Sequence, residues 1–551
     1  MTESIPSPAI PEAPRATFGV WFMAVALFVF TLVLHTRHND FPFTYHPDEG
    51  GKVTQVLVGS RNYHHPLLLL QTATYASRLA FLPKQPQVIV ETGRWVSATF
   101  AAGSVVALAL LAWWTYGLLI GWGAGLAIAL QEDVFEMSHY MKEDPALLFG
   151  LALTLFAAHV WWRRPGKRSL RFLAIACGLA AAGKYLGIVV IFFALPIVIW
   201  HKAADAFLPS KARLKSFAIV FVVTFLICNF PLFGWKISSP FRSIKNEMDG
   251  VAGGHRGLTR KVPHAEYINA LKSKVPPVLA VLAAIYALAL LATARRRTPA
   301  EWITLLFPLL YLAMISCSPK IAERYLLPVS ALVPLLAALG AGEIGRAIRS
   351  PKIPVRNVIG CGVSAALLVW MTRAEWPAFH RSWEGFQHDD PTAVANWIKA
   401  NVPLTAIIAE DHRVNLSATK SDGLSSAARV PQKVMDASFA PDLGSLDDLR
   451  KKGVQYVAVC RQNYGRYFND ETKPQADVKS GYDKRRDFYA RLFAEGELLK
   501  EWPKGAISYL QPGIKLYKIK PAPEPAVTPE AAPTPAPTPS TPPAPATAVP
   551  Q

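Results

Sequence analysis

Cysteine is scarce in this chain, and its distribution excludes two classes of protein. Only five cysteines occur in 551 residues, and no two of them form a CxxC pair. Cys460 stands alone in the C-terminal part, and the others fall within long apolar runs, at positions 177, 228, 317 and 361. A disulfide framework and a cysteine-rich metal site are therefore both excluded.

Motifs for nucleotide binding are missing from the C-terminal part. Residues 376–520 contain neither a GxGxxG run nor a Walker phosphate-binding motif, so nothing there indicates nucleotide binding. No internal repeat is visible either. Secondary transporters are commonly built from such repeats and place ionisable residues at mid-membrane, so that class is an alternative and not the first choice.

Apolar and aromatic residues are abundant. Hydrophobic residues make up 51% of the chain, with 15 Trp and 28 Phe, which is too apolar for one soluble domain of this length. A membrane-spanning helix needs about 20 mostly apolar residues, and about eleven candidate spans meet this requirement. They begin near residues 18, 95, 116, 146, 172, 185, 216, 275, 301, 325 and 357. The predicted fold class is a polytopic α-helical membrane protein.

Basic residues predict the orientation of these spans. Much of the net charge of +19 comes from Lys and Arg in short loops between the spans. These loops alternate along the chain, at 163–171, 201–215, 294–300 and 346–356. The positive-inside rule places them in the cytoplasm. Residues 1–17 are then a disordered cytoplasmic segment, and the basic residues are too dispersed for a nucleic-acid surface.

The same orientation places the remaining loops and the C-terminal part outside. The exterior loops are 36–94, 132–145, 235–273 and 318–325, all within a membrane module at 18–373. Residues 374–520 alternate between helix and strand signals and predict a small exterior α/β domain. Residues 521–551 are rich in Pro and Ala and predict a disordered tail.

Acidic residues are concentrated in the first two exterior loops. Asp48 and Glu49 stand side by side after the first span, in the run YHPDEGG. The second loop contains Glu132, Asp133, Glu136, Glu143 and Asp144. Acids beside a hydrocarbon boundary favour a functional role, and the alternative is a pair of polar connectors whose charges are solvated.

The second acidic loop has helical spacing. If it is helical, Asp133 and Asp144 share a face, because each residue turns about 100° around the axis. His139 and Glu143 lie four residues apart and would also be neighbours on that helix. The loop could therefore present several acids and a histidine together.

Positive side chains are expected on the same side of the membrane. Lys320, Glu323 and Arg324 lie at the mouth of a span, and Lys184 interrupts an apolar run. An unpaired Lys in hydrocarbon usually faces a cavity or a partner. Arg can be a snorkelling anchor or the partner of a phosphate group. Acids and cations together suit a reaction in which a phosphate leaves and a hydroxyl loses its proton.

Four stretches carry a family resemblance. They are HPDEGGKVTQVLVGSRNYHHPLLLL, SHYMKEDPALLF, GLAAAGKYLG and ERYLLPVSALVPLL. Together they resemble the GT-C membrane glycosyltransferases, especially bacterial relatives of protein O-mannosyltransferases and of lipid A aminoarabinose transferases, over residues 18–372. The resemblance implies a multi-pass protein of the bacterial inner membrane. Such a protein transfers a sugar, with inversion, from a polyprenyl-phosphate carrier to an acceptor hydroxyl on the exterior face.

The resemblance also implies roles for individual residues. Asp48 corresponds to the catalytic base, with Glu49 beside it. The second acidic motif corresponds to Glu143 and Asp144, and the sequence does not choose between them. The cations expected at the donor phosphate are Lys184, Arg324 and Lys320.

The cofactor and the acceptor stay open at this stage. A divalent ion, Mg²⁺ or Mn²⁺, could bind against the phosphate through Glu49, His139, Glu143 and Asp144. The acceptor is an envelope lipid, glycan or protein. A third alternative is a non-catalytic envelope assembly protein whose α/β domain is a binding module.

Overall fold

The computed structural model describes most of the chain. The described residues are 16–231, 236–237, 240–252, 258–260, 263–318, 321–350, 352–417, 429–470 and 472–520. Outside the described residues lie Lys320, residues 1–15 of the predicted N-terminal segment, and the predicted tail at 521–551.

Within these stretches the chain forms 20 α-helices and nine β-strands. The helices are α1 (Phe18–His35), α2 (Pro47–Val58), α3 (Leu68–Leu79), α4 (Pro86–Tyr116), α5 (Leu118–Ala129), α6 (Glu132–Ser138), α7 (Asp144–Arg163), α8 (Lys167–Gly183), α9 (Val190–Trp200), α10 (Ser210–Asn229), α11 (Pro240–Ala252), α12 (Pro263–Lys274), α13 (Pro277–Ala292), α14 (Pro299–Ser316), α15 (Leu327–Ile348), α16 (Pro354–Gly385), α17 (Asp390–Asn401), α18 (Leu446–Lys451), α19 (Arg461–Tyr464) and α20 (Lys479–Glu495). The strands are β1 (Ser60–Arg61), β2 (Lys236–Ile237), β3 (Leu258–Arg260), β4 (Ile407–Asp411), β5 (Lys433–Ala437), β6 (Val454–Cys460), β7 (Thr472–Pro474), β8 (Glu497–Trp502) and β9 (Ile514–Lys518).

The polytopic helical class is confirmed. In the described part of the chain, seven helices are long and apolar enough to cross a membrane, and two bent pairs raise the number to nine. The bent pairs are α5 with α6, at 59°, and α12 with α13, at 110°. A helix starts close to each predicted position or contains it. However, α8 has only 17 residues, and the apolar helix Tyr185–Trp200 is also short. The count of eleven spans therefore stays a prediction.

Small residues let the helices of the membrane module approach each other closely. A Cβ on Gly150 of α7 would lie 2.3 Å from the backbone of Ala180 in α8. A Cβ on Gly340 of α15 would lie 2.0 Å from the carbonyl oxygen of Leu282 in α13. Because lipid supplies no hydrophobic drive between helices, close van der Waals packing of this kind stabilises the module.

The acidic connector between α5 and α7 is not one continuous helix. α6 ends at Ser138, and α7 begins at Asp144 with Pro145 in its first turn, a position where the missing N–H of proline costs nothing. Residues 139–143 form an irregular loop between them. The common helical face expected for Asp133 and Asp144 is therefore not formed.

A five-stranded sheet forms the centre of the C-terminal domain, in the order β5-β4-β6-β9-β8. β5, β4 and β6 are parallel, whereas β9 is antiparallel to both β6 and β8. β4 and β6 are buried along most of their length. Helices cover both faces, with Val394 and Ile398 of α17 in one core and Tyr489 and Leu492 of α20 in the other.

Several contacts join this domain to the membrane module. Tyr45, just before α2, donates a hydrogen bond to Asp389 Oδ2 at 2.9 Å. Asp389 in turn caps α17 by accepting the backbone N–H of Thr392 at 3.2 Å. β3 of the membrane module also pairs antiparallel with β7. The domain therefore lies against the loop that contains the first acidic motif.

Candidate active site

The start of α2 directs Asp48 and Glu49 to different surroundings. His46 caps the helix, because its Nδ1 accepts the backbone N–H of Asp48 at 3.2 Å, and Pro47 occupies the first turn. Successive helical residues point about 100° apart. Glu49 is fully buried, whereas 40% of the Asp48 side chain is exposed.

Glu49 holds three parts of the membrane module together. Arg94 of α4 donates to both of its carboxylate oxygens, at 3.0 and 2.6 Å, and neither side chain is exposed. Glu49 Oε1 also accepts the backbone N–H of Met141 at 2.8 Å. Both carboxylate oxygens of Glu49 are thus bound to Arg94, so neither faces a sugar donor or a metal ion, contrary to the expectation from the sequence. Its partner Arg94 comes from a distant helix.

We expect Glu49→Gln to lower the free energy of unfolding by about 3–5 kcal/mol, because it leaves the buried Arg94 guanidinium without its counter-charge. Denaturant or thermal unfolding of the purified protein in detergent measures this change. Glu91→Gln is the matched control on α4, since Glu91 is only half-buried and accepts a hydrogen bond from the neutral side chain of Gln87. Equal stability of both variants would contradict the assigned role of Glu49.

Asp48 lies beside two cations from distant parts of the chain. Its Oδ2 is 3.1 Å from Lys142 Nζ and 3.6 Å from Arg324 Nη1. Burial by itself would raise the pKa of Asp48, but Lys142, followed by smaller contributions from His46 and Lys52, holds that pKa well below its usual range. Asp48 is therefore a carboxylate whose charge is stabilised in the ligand-free protein.

Lys142 is a functional candidate that the sequence reading missed. Only 3% of its side chain is exposed, and its charge faces Asp48. Burial and then the charge of Arg324 lower the pKa of Lys142 to about 8, although Asp48 opposes this. The available signal was the KED triplet, in which a lysine precedes the two acids that were considered.

The second acidic motif forms two separate ion pairs. Glu143 Oε2 lies 3.0 Å from Lys52 Nζ, and Asp144 Oδ1 lies 2.8 Å from Lys184 Nζ. Burial would raise the pKa of Glu143, but Lys52 and then His65 lower it below its usual value. Both acids are thus ionised and paired. The structure pairs each of them with a lysine, and their catalytic role stays a prediction.

Lys184 and Arg324 share an aromatic neighbour. Lys184 Nζ lies 4.8 Å from the centre of the Tyr325 ring, and the Arg324 guanidinium lies 5.7 Å from it. The sequence predicted that both cations lie near the acids, and the structure brings them together there. Lys320, the third predicted phosphate ligand, lies outside the described residues.

The predicted metal ligands do not converge. His139 is fully buried, with Nδ1 2.8 Å from the Phe135 carbonyl and Nε2 2.9 Å from the Arg37 carbonyl. Glu49 is bound to Arg94. Among the described residues, no group of three or more His, Cys, Asp and Glu side chains could hold a metal ion. The proposed set of four ligands therefore does not fit a divalent ion.

The cluster places one acid beside two cations. In the described part of the chain, Asp48 is the acid within ion-pair distance of both Lys142 and Arg324. One carboxylate therefore faces two positive charges and keeps part of its surface exposed. A ligand phosphate could take both cations, and a hydroxyl could then reach the carboxylate.

The chain is similar to several known proteins. Residues 83–236 match the family of dolichyl-phosphate-mannose-protein mannosyltransferases. The archaeal oligosaccharyltransferase AglB from Archaeoglobus fulgidus, solved with an inhibitory peptide and a dolichol-phosphate, has a TM-score of 0.50 and 10% identity. That match covers 82% of this chain and 71% of AglB. The predicted resemblance to the GT-C glycosyltransferases is confirmed.

Two further solved structures are similar to the chain. ArnT from Cupriavidus metallidurans bound to undecaprenyl phosphate has a TM-score of 0.49 and 13% identity, over 90% of this chain and 98% of ArnT. The Pmt1-Pmt2 protein O-mannosyltransferase complex of S. cerevisiae has a TM-score of 0.33 and 18% identity, over 40% of this chain and 33% of that chain. No curated protein sequence matches the chain significantly.

Proposed function

We propose that this GT-C-like protein transfers a sugar from a polyprenyl-phosphate carrier to an acceptor hydroxyl on the non-cytoplasmic face of the bacterial inner membrane. Asp48 is the general base of this reaction. The observation that carries the proposal is the position of Asp48 between Lys142 and Arg324, 3.1 and 3.6 Å away. A base for the acceptor and cations for a leaving phosphate thus lie within one cluster.

The reaction is a single displacement at the anomeric carbon of the sugar. The acceptor oxygen forms a bond to this carbon as the bond from the carbon to the phosphate oxygen breaks. The acceptor proton passes to Asp48, and the bonding electron pair leaves on the phosphate of the carrier. One displacement inverts the anomeric configuration. Arg324 and Lys142 stabilise the developing charge of the phosphate, because preorganised cations act strongly where water is excluded.

Donor binding also activates the base. In the ligand-free protein Lys142 and Arg324 stabilise the ionised form of Asp48, which makes it a weak proton acceptor. A phosphate between these cations adds negative charge next to Asp48 and competes for their hydrogen bonds. The pKa of Asp48 then rises toward its usual value. The donor therefore binds before a hydroxyl is deprotonated.

The comparisons support a polyprenyl-phosphate donor. The matching family is named for a dolichyl-phosphate-mannose donor, and AglB, which shares the fold, was solved with a dolichol-phosphate. In this chain the cations face an exposed carboxylate at the end of apolar helices, where a lipid carrier would present its headgroup. The sugar is a hexose or a pentose.

The activity is tested with the purified full-length protein in lipid nanodiscs. It is incubated with one undecaprenyl-phosphate-linked sugar at a time and with envelope lipids, glycans or proteins. We expect a sugar-dependent mass increase in one acceptor fraction and release of undecaprenyl phosphate. A protein that binds undecaprenyl phosphate but transfers no sugar from any donor would contradict the proposal.

We expect the loop around residue 167 and the C-terminus to lie on opposite sides of the membrane. The basic loops place the former in the cytoplasm, and the active-site cluster requires the latter outside. Fusions at each position to a reporter that is active on only one side measure this. The same side for both positions would overturn the topology.

A further inference from the structure

The sheet of the α/β domain has a topological switch point that faces the active site. β4 is the first strand, and its neighbours β5 and β6 lie on opposite sides of it. In open α/β sheets, ligands bind at the carboxyl ends of the strands at such a point. Here Arg413 lies in the short turn after β4 and Gln462 in α19, directly after β6. Arg413 donates a hydrogen bond to the Gln462 side chain.

Tyr509 connects this edge of the sheet to His46, the residue that caps the helix of Asp48. Its ring centre lies 5.6 Å from the Arg413 guanidinium and 4.3 Å from the centre of the His46 ring. Gln462 Nε2 donates to the carbonyl oxygen of Ser508 at 2.7 Å and so holds the segment that carries Tyr509. Since His46 directly caps the helix of Asp48, the edge of the α/β domain reaches the base through one aromatic side chain.

Polar atoms without partners lie under Tyr509. The ring of Tyr140 is 4.6 Å from His46 and 5.5 Å from Tyr509. Three buried polar atoms have no hydrogen-bond partner among the described residues: the Tyr140 hydroxyl, His46 Nε2 and Arg324 Nε. His46 Nδ1 accepts the Asp48 N–H, so Nε2 carries the proton and is an unused donor. Native proteins rarely bury such groups unpaired, so their concentration here points to a polar ligand.

We infer that the acceptor binds in this seam between the two domains, under Tyr509 and against His46, Tyr140 and Arg413, and that it is a carbohydrate. This inference rests on the proposed function, which it extends to the acceptor. Three unused polar groups need several partners, and a sugar ring with its many hydroxyls supplies them. A lone Ser or Thr hydroxyl would satisfy one group and leave the others unpaired. The hydroxyl nearest Asp48 is the nucleophile.

His46 is then a positioning residue. Its Nδ1 orients the backbone at Asp48, and its Nε2–H donates to the acceptor. Tyr509 covers the polar groups in the ligand-free protein and has to move when the acceptor enters. Removal of its ring therefore opens the site to water as well as weakening the hold on the acceptor.

The test compares Tyr140→Phe and Tyr509→Ala with Tyr464→Phe, a control in the α/β domain whose ring contacts Phe493 and Tyr489 away from the seam. Each full-length protein is given a labelled undecaprenyl-phosphate-linked sugar that the wild type uses. Two acceptor preparations are tested, the protease-treated saccharide fraction of the envelope and the delipidated protein fraction. Undecaprenyl phosphate alone is the probe for donor binding.

We expect label in the saccharide fraction. Both seam variants should raise the KM for this fraction by about tenfold, because Tyr140→Phe removes a hydrogen bond to the acceptor and Tyr509→Ala removes the ring that covers it. Both should leave undecaprenyl phosphate affinity within about twofold. Tyr509→Ala should also increase hydrolysis of the donor by water. Tyr140→Phe keeps the ring, so it tests the contact even if Tyr509→Ala unfolds.

Each other outcome overturns a distinct claim. Label confined to the protein fraction would show that the acceptor is not a carbohydrate. An unchanged KM in the folded Tyr140→Phe variant would remove the acceptor from the seam. Either result leaves the glycosyltransferase activity in place, whereas a wild type that transfers no sugar to any fraction would refute the proposed function itself.

Discussion

Asp48→Asn should reduce sugar transfer by at least about a hundredfold, because general-base catalysis contributes typically 10²–10⁴-fold. Asn keeps the size of the side chain and can still accept a hydrogen bond from Lys142 or Arg324, which lie 3.1 and 3.6 Å from Asp48. It cannot take the proton of the acceptor hydroxyl. The loss should appear in kcat, with undecaprenyl phosphate binding largely intact.

The matched control for this substitution is Asp40→Asn. Asp40 is an exposed residue of the same predicted exterior loop, eight residues before Asp48. If Asp48 were merely solvated, as Asp40 is, both variants would transfer sugar like the wild type, since surface substitutions usually change stability by less than about 0.5 kcal/mol. Near-normal transfer by folded Asp48→Asn protein would remove Asp48 as the base.

The second large effect is expected from Arg324→Ala. Loss of this cation should lower kcat/KM for the donor by about a hundredfold, the size seen when one preorganised group at a developing charge is removed. Arg324→Lys should recover only part of this, because the planar fork of donors is gone. Steady-state kinetics with a labelled undecaprenyl-phosphate-linked sugar measure both variants.

The same variant has a predictable pH dependence. Arg324 helps to hold the pKa of Asp48 below its usual range, so its removal lets that pKa rise. The acid limb of the profile of kcat/KM against pH should therefore move to higher pH. Arg346→Ala is the control, because Arg346 is half-exposed at the far end of α15. If Arg324→Ala used the donor as the wild type does, Arg324 would be only an interfacial anchor.

The sequence by itself determined the class of the protein and the ingredients of its site. A run of about 20 apolar residues is long enough to form a helix that spans the membrane. This property depends only on the residues of the run itself. The acids of the two motifs, Lys184 and Arg324 were recognisable for the same reason, since charges beside apolar runs are costly without a function or a partner. The orientation of the spans rests on loop charge alone and stays a prediction.

Only the tertiary structure decided which charges meet. The sequence analysis placed Glu49 beside the base as a possible metal ligand, but in the structure Glu49 is buried in an ion pair with Arg94, 45 residues away. Lys142 lies beside Asp48 because residues 139–143 leave the helical path and bring its amine to the Asp48 carboxylate. Tyr509 reaches His46 only because the α/β domain folds back over the membrane module. These pairings join segments that are far apart in the sequence. Whether two such segments meet depends on closing the long loop between them and on the attraction of their charges, and no local pattern of residues predicts either.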